Sequence, residues 1–185
     1  MPTNFAYRHA LEDHIAGFEG DANPHHLTVL TRPTVFSVMA RTGHEADIAG
    51  ALEAMEEISA RFVSLSEWLV VSEILGAEAL ARDLAALGSE RASFIEQSDG
   101  RVVMRIAGPK VRQILAKCVA ADLHPDVFVI GQAANMLCCH VTANVARTGE
   151  DEFEVAVMRS YAGYVFDELM EMGREFAMSS GLSAG

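Results

Sequence analysis

What most constrains the fold of this chain is a change of hydrophobic period that recurs along its length. Short β-rich runs come in pairs, and each pair alternates with a stripe of apolar residues at helical spacing. Residues 62–65 and 68–71 are two such runs joined at Ser66-Glu67. Residues 92–96 and 101–107 are two more, flanking Ser98-Asp99-Gly100. Asp-Gly favours a hairpin because both residues tolerate positive φ, so these two runs are expected to pair with each other. A last strand pair, 136–146 and 153–158, surrounds Thr148-Gly149. Phe153, Val155 and Val157 alternate with Glu152, Glu154 and Ala156, the pattern of a sheet with one buried face. Residues 27–41 add one or two strands interrupted at Pro33, which reads as a sheet edge.

Four helical stripes separate these runs. Ile48, Leu52 and Met55 recur at i, i+4 and i+7, with most nearby acids off the stripe. Leu80, Ala81, Leu84 and Leu87 form the second, which Gly88 should end from the C′ position. Gly108-Pro109 opens the third, with proline at the first helical position and Val111, Ile114, Leu115, Cys118 and Val119 as its buried face. A loop centred on Pro125 covers residues 122–126, and the last helix runs over 161–176 through Ala162, Val165, Phe166, Leu169, Met170, Gly173 and Phe176.

Strand pairs alternating with helices predict an α+β fold of layered antiparallel or mixed sheets, with helices covering one face, rather than a doubly wound parallel sheet. No stretch rich in Pro, Gly or Ser splits the chain. The expected organisation is an N-terminal arm, 1–26, punctuated by Gly17, Gly20, Asn23 and Pro24 and carrying one helical turn at 10–15; a single domain, 27–178; and a flexible tail of small residues, 179–185. Trp68, beside Leu69 and Val71, is expected in the core.

The charge balance narrows the function. Among 185 residues, 26 Asp and Glu face 14 Lys and Arg, a formal net charge of −12, the wrong sign for phosphate backbones and anionic membranes. No apolar run approaches the roughly 20 residues that span a bilayer. Arg8, Glu12, Asp13 and Glu19 break any secretory h-region near the start, so a cytoplasmic protein is expected. Its three cysteines, an odd number without export, should then be reduced thiols. On a strand, Cys138 and Cys139 would point to opposite faces, leaving Cys138 and His140 as the one metal-like pair. Two ligands do not make a zinc site and His25-His26 has no ligand spacing, so no metal is expected.

No GxGxxG, P-loop, HExxH or GxSxG pattern is present. Ser160 sits where a helix N-cap belongs, without the glycines of a nucleophile elbow, and no acid stands out from a solvated face. No catalytic residue is therefore expected. Charge is polarised along the chain, however. Residues 100–121 hold Arg101, Arg105, Lys110, Arg112 and Lys117 without an acid, whereas 150–175 hold eight acids and two arginines. Lys110 and Arg112 fall in the first turn of the third helix, where the helix dipole disfavours cations. Either the basic helix pairs with the acidic last helix, or these two residues receive an anion such as a folate tail or a partner protein. They are the candidate cofactor-binding residues.

Four segments in order carry a family resemblance. They are Ser66-Glu67-Trp68-Leu69-Val70-Val71; Arg101-Val102-Val103-Met104-Arg105-Ile106-Ala107-Gly108-Pro109; Ala121-Asp122-Leu123-His124-Pro125-Asp126-Val127-Phe128, which precedes Gly131; and Arg159-Ser160-Tyr161-Ala162 before an acidic amphipathic helix. Over about residues 60–178 the chain resembles the gamma subunit of heterotetrameric sarcosine oxidase, and Arg8-His9-Ala10-Leu11 is similar to that family's N-terminal segment. The resemblance implies a fold like the folate-binding domain of aminomethyltransferases, with ferredoxin-like sub-units. It also implies a non-catalytic structural subunit whose partners are larger flavin-binding alpha and beta subunits and a small delta subunit. FAD, FMN, NAD, tetrahydrofolate and zinc would reside in those partners. The whole complex would oxidatively demethylate sarcosine and pass the one-carbon unit to tetrahydrofolate. Two alternatives stay open: the small subunit of an N-methylglutamate dehydrogenase-like complex, and a free-standing folate-binding or one-carbon transfer protein whose basic 101–117 segment receives the glutamate tail. Leu65-Ser66 stands where the family usually has Pro-Asp, and Met136-Leu137 where it has Thr-Arg, which removes an arginine from that strand. The first 60 residues match poorly, so arm contacts are not carried over.

Overall fold

The computed structural model describes residues 8–15 and 23–183. Within them the chain forms α1 (Glu12–Ile15), β1 (His26–Val29), β2 (Thr34–Ala40), α2 (Glu45–Glu53), β3 (Ser59–Ser64), β4 (Glu67–Ser72), α3 (Ala77–Ala85) and β5 (Ala92–Glu96). It continues with β6 (Arg101–Ala107), α4 (Val111–Leu115), β7 (Ala133–Cys138), β8 (Val141–Gly149), β9 (Glu152–Met158), α5 (Ala162–Gly173) and β10 (Ser179–Leu182). Six strands make a mixed sheet in the order β10-β1-β6-β9-β8-β7, in which only β10 and β1 run parallel. The other four make an antiparallel sheet, β3-β4-β2-β5. No helix among the described residues is long and apolar enough to cross a membrane.

Strand alternation sorts the apolar residues into three cores. On the outer face of the six-stranded sheet, Met104, Ile106, Phe153, Val155 and Val157 pack against Val111, Ile114 and Leu115 of α4 and Val165, Phe166 and Leu169 of α5. On the outer face of the four-stranded sheet, Phe36, Val38, Trp68 and Val70 meet Ile48 and Leu52 of α2 and Leu80 and Leu84 of α3. The inner faces meet through Leu30, Val35, Leu69, Val71, Val103 and Ala156. The layers run helix, sheet, sheet, helix. The α+β expectation is met and Trp68 lies in the core, but helices on one face are half of the arrangement: the second face of each sheet is covered by the other sheet. Glu154 is accordingly buried, 2% exposed, rather than solvated as its alternation suggested.

Several local expectations are corrected. Ser98–Gly100 is not a hairpin turn but a 3-10 turn that carries the chain from one sheet to the other. Both sides of β6 are taken by β1 and β9, so β5 pairs with β2, and Ser98 Oγ accepts the Val35 N–H at 3.0 Å. The run 136–146 is not one strand. It breaks at Cys139-His140, whose φ values of 50° and 68° make the tight turn between β7 and β8. Pro33 precedes β2, which is an interior strand rather than an edge. Pro109 lies before the cap residue Lys110 rather than inside the third helix, and Cys118 and Val119 lie beyond the five-residue α4. Gly108 has φ +133°, and a Cβ there would come within 2.5 Å of the Pro24 carbonyl oxygen, so this close approach requires glycine. Ser160 does not cap the last helix; Tyr161 holds that position.

Residues 8–15 and 179–183 are more ordered than their composition suggests. Residues 179–182 are not a frayed tail but β10, secured by Ser179 N–H to His25 O at 3.1 Å and Ser183 N–H to Val29 O at 2.8 Å. In the arm, the expected helical turn is α1, and Leu11 beside it is fully buried in the main core. Gly17, Gly20 and residues 184–185 lie outside the described residues.

Candidate functional site

Charge is buried between the sheets. Arg61 of β3, Arg105 of β6 and Glu154 of β9 lie on the facing surfaces, and Glu73 follows β4. Glu154 accepts from Arg61 Nη2 and from Arg105 Nε at 2.7 Å, and Arg105 also pairs with Glu73. Burial lowers the Arg61 pKa, with Glu154 opposing. Burial acts the same way on Arg105, but Glu154 and Glu73 outweigh it and the net shift is upward. Arg61 Nε donates to Ser59 Oγ at 3.2 Å, while its Nη1 has no hydrogen-bond partner among the described residues. These four charges compensate one another, so the network serves to register the two sheets. Sequence reading missed it, since alternation identifies a face but not what covers it.

The structure separates the two candidate anion ligands. Arg112 Nη1 lies 2.5 Å from Asp151 Oδ1, its Nη2 donates to the Glu150 carbonyl, and its guanidinium lies 5.6 Å from the Phe153 ring centroid. The Lys110 side chain makes no ion pair among the described residues; its backbone N–H donates to His25 Nε2 at 3.2 Å. Lys117 reaches α5, donating to the Met172 carbonyl at 2.9 Å and pairing with Glu175. The basic segment thus meets the last helix at Lys117, while Arg112 is neutralised by the turn between β8 and β9.

A cleft of about 680 Å³ opens where residues 131–134 approach α2 and the turn between β3 and β4. Ala60, Phe62, Trp68, Ala133 and Ala134 line it, with Glu45 and Glu53 of α2 alongside. Phe62 is 45% exposed and Leu65 85%. An apolar lining with two carboxylates alongside suits an apolar segment carrying a cation. The loop leading into it exposes Val127, Val129 and Ile130. Only Trp68 and the Leu65 departure in this cleft were visible in the sequence, because its other wall is non-local.

The cysteines are not where an uninterrupted strand would put them. Cys138 and His140 do not share a strand face, because the turn intervenes: Cys138 is buried and His140 exposed. Cys118, Cys138 and Cys139 are free, buried and members of one core cluster. Hydrogen bonds from Cys118 and then Cys138 hold the Cys139 thiol well below its ordinary value, against the opposing effect of burial. Hydrogen bonding to Cys118 and Cys139, with burial, pushes Cys138 up. No group of three or more His, Cys, Asp or Glu among the described residues is arranged to hold a metal ion.

Comparison with known proteins fits this geometry. Residues 32–175 match the model of the sarcosine oxidase, gamma subunit family. A sarcosine oxidase subunit gamma from Corynebacterium sp. strain P-1 is 31% identical over 115 residues, which is 60% of this chain and 57% of that relative. The chain spans less than two thirds of the length of the curated relatives it first matches. Among solved structures, the fold is similar to a chain of heterotetrameric sarcosine oxidase from Corynebacterium sp. U-96 in complex with pyrrole 2-carboxylate, with TM-score 0.78 and 24% identity, covering 97% of this chain and 98% of that one. It is also similar to the glycine cleavage system aminomethyltransferase T from Bartonella henselae, with TM-score 0.61 and 16% identity over 85% of this chain and 48% of that one. The two-sheet architecture is therefore an aminomethyltransferase-like fold, and a family match over most of the chain places this protein in the sarcosine oxidase gamma subunit family.

Proposed function

We propose that this chain is a non-catalytic structural subunit of a cytoplasmic, heterotetrameric sarcosine oxidase-like complex, which oxidatively demethylates sarcosine and passes the one-carbon unit to tetrahydrofolate. The observation that carries the reading is the family match over residues 32–175. Larger flavin-binding alpha and beta subunits and a small delta subunit are its partners, and they hold FAD, FMN, NAD, tetrahydrofolate and zinc. In this reading the cleft around Phe62 and Leu65 receives an apolar segment of a larger subunit, with a base opposite Glu45 and Glu53. Co-expression with the larger subunits and purification through a tag on this chain tests it. Stoichiometric recovery of a flavin-coloured complex is expected, while the chain purified alone is colourless and inactive. Recovery without any flavoprotein would refute the proposal.

The aminomethyltransferase-like fold favours one second reading, a free-standing folate-binding protein. Micromolar binding of tetrahydrofolate to the isolated chain, abolished by Lys110→Glu with Arg112→Glu, would establish it in place of the first.

A further inference from the structure

The chain has three cysteines, and the fold brings all three together although Cys118 lies 20 residues before the Cys138-Cys139 pair. Two backbone features do this. Val119 bridges antiparallel to Cys138, so Cys118 stands opposite Cys139, and the Cys139 N–H donates to the Cys118 carbonyl at 2.8 Å. The Cys118 N–H itself donates to the Leu115 carbonyl, so a single backbone bond joins the two residues; opposed residues of an antiparallel pair have Cα atoms about 4.5–5.5 Å apart, inside the roughly 4.4–6.8 Å that a disulfide spans. The second feature is the left-handed φ of 50° at Cys139, which breaks the strand alternation that would have sent adjacent cysteines to opposite faces.

We propose that Cys118, Cys138 and Cys139 form a peroxide-reactive thiol site in which Cys139 is oxidised first and closes a disulfide onto Cys118. The Cys139 thiolate attacks one oxygen of hydrogen peroxide; the O–O bond breaks, leaving Cys139 as the sulfenic acid and releasing hydroxide. The Cys118 sulfur then attacks the Cys139 sulfur, forming the S–S bond and expelling a second hydroxide. The protons of the two thiols convert both hydroxides to water, so two thiols give up two electrons and one peroxide becomes two waters. Cys138, adjacent in sequence to Cys139 and fully buried, is not itself joined. The low pKa of Cys139 and the exposed His140 beside it agree with Cys139 as the attacking group. The site rests on the proposed oxidase role only for a source of oxidant, because two-electron reduction of oxygen yields peroxide.

The test needs no partner subunit, so its failure and that of the proposed function are distinguishable. The reduced full-length chain is exposed to a few equivalents of hydrogen peroxide, quenched in acid, denatured and alkylated with N-ethylmaleimide, and its intact mass is measured. The reduced chain should take up three labels and the oxidised chain one. Cys138→Ser should still form the disulfide, which peptide mapping then assigns to Cys118 and Cys139. Cys118→Ser should accumulate a sulfenic acid at Cys139 that dimedone traps. Three labels after peroxide, unchanged label loss in Cys139→Ser, or loss of the disulfide in Cys138→Ser would overturn the proposal.

Discussion

Replacing Glu154 by Gln should be among the most damaging single changes on the inner sheet faces. The carboxylate is 2% exposed and accepts from two arginines, of which Arg61 is itself 2% exposed. Gln keeps the shape but removes the charge, and Arg105 retains Glu73. Arg61 retains Ser59 at 3.2 Å and the field of Glu73, but loses the one carboxylate in contact with it and becomes a buried cation without a contacting anion. Breaking such a pair from one side costs about 3–5 kcal/mol, a large part of the about 5–15 kcal/mol that stabilises a domain. At roughly 2–4 °C per kcal/mol for a chain this long, the melting temperature should fall by roughly 6–20 °C. The reverse deletion, Arg61→Met, should cost less, because Glu154 keeps Arg105 at 2.7 Å. The double variant should cost less than the sum of the two. Urea and thermal unfolding followed by circular dichroism measure all three. A loss below about 1 kcal/mol for Glu154→Gln, or a larger loss for Arg61→Met, would refute the claim that these charges are dry and mutually dependent.

Truncation after Met178 removes β10 and with it the Ser179–His25 and Ser183–Val29 backbone bonds and three Thr31–Ser183 bonds. At about 0.5–1.5 kcal/mol each, these five bonds give a loss of roughly 2.5–7.5 kcal/mol in urea unfolding, where a frayed tail would show none. His9 is buried, its Nδ1 accepts the Leu11 N–H at 3.1 Å, and burial, with Arg159 adding, lowers its pKa from 6.5. The unfolded chain therefore takes up this proton first as pH falls. The contribution is complete above 6.5 and is lost as pH drops through the lower folded value, so His9→Gln should flatten the decline in stability between pH 7 and 5. An unaltered slope in that variant would exclude His9 as the cause.

Helices were legible because their signal is local. Ile48 with Leu52, and Leu80 with Leu84, need only a spacing, and each pair is buried as its stripe required. Pairing partners were not legible for the opposite reason. Ser98-Asp99-Gly100 correctly marks a turn, but whether the next strand returns to the same sheet depends on β1 and β9, which are distant in sequence. Cys139-His140 gave no warning of a hairpin, since neither is the glycine or asparagine that left-handed turns favour. β10 reads Ser-Ser-Gly-Leu, with little strand propensity of its own, and is held by the β1 backbone. At the candidate sites, the basic character of Lys110 and Arg112 was plain in the sequence. The carboxylate that answers Arg112, Asp151, comes from a turn 39 residues away.

The layering also changes the meaning of an acidic chain that is 50% apolar. A two-layer fold would leave one sheet face for a partner, and apolar residues could be held in reserve there. Here each sheet has helices on one face and the other sheet on its second, so neither face is available. Several of the most exposed apolar side chains accordingly sit elsewhere: Leu65 in a turn, Ile74 after β4, Val127, Val129 and Ile130 in the loop before β7, and Leu137 and Ile95 on the edge strands β7 and β5. In the Asp122 to Phe128 segment, Leu123 and Phe128 are buried and explained by packing, but Val127 is 55% exposed and is not. Docking onto larger subunits, as proposed, must therefore grip loops and sheet edges. Surface loops ordinarily tolerate change, so the ordered resemblance around Pro125 points to a loop constrained from both sides, by the core through Leu123 and Phe128 and by a partner through Val127.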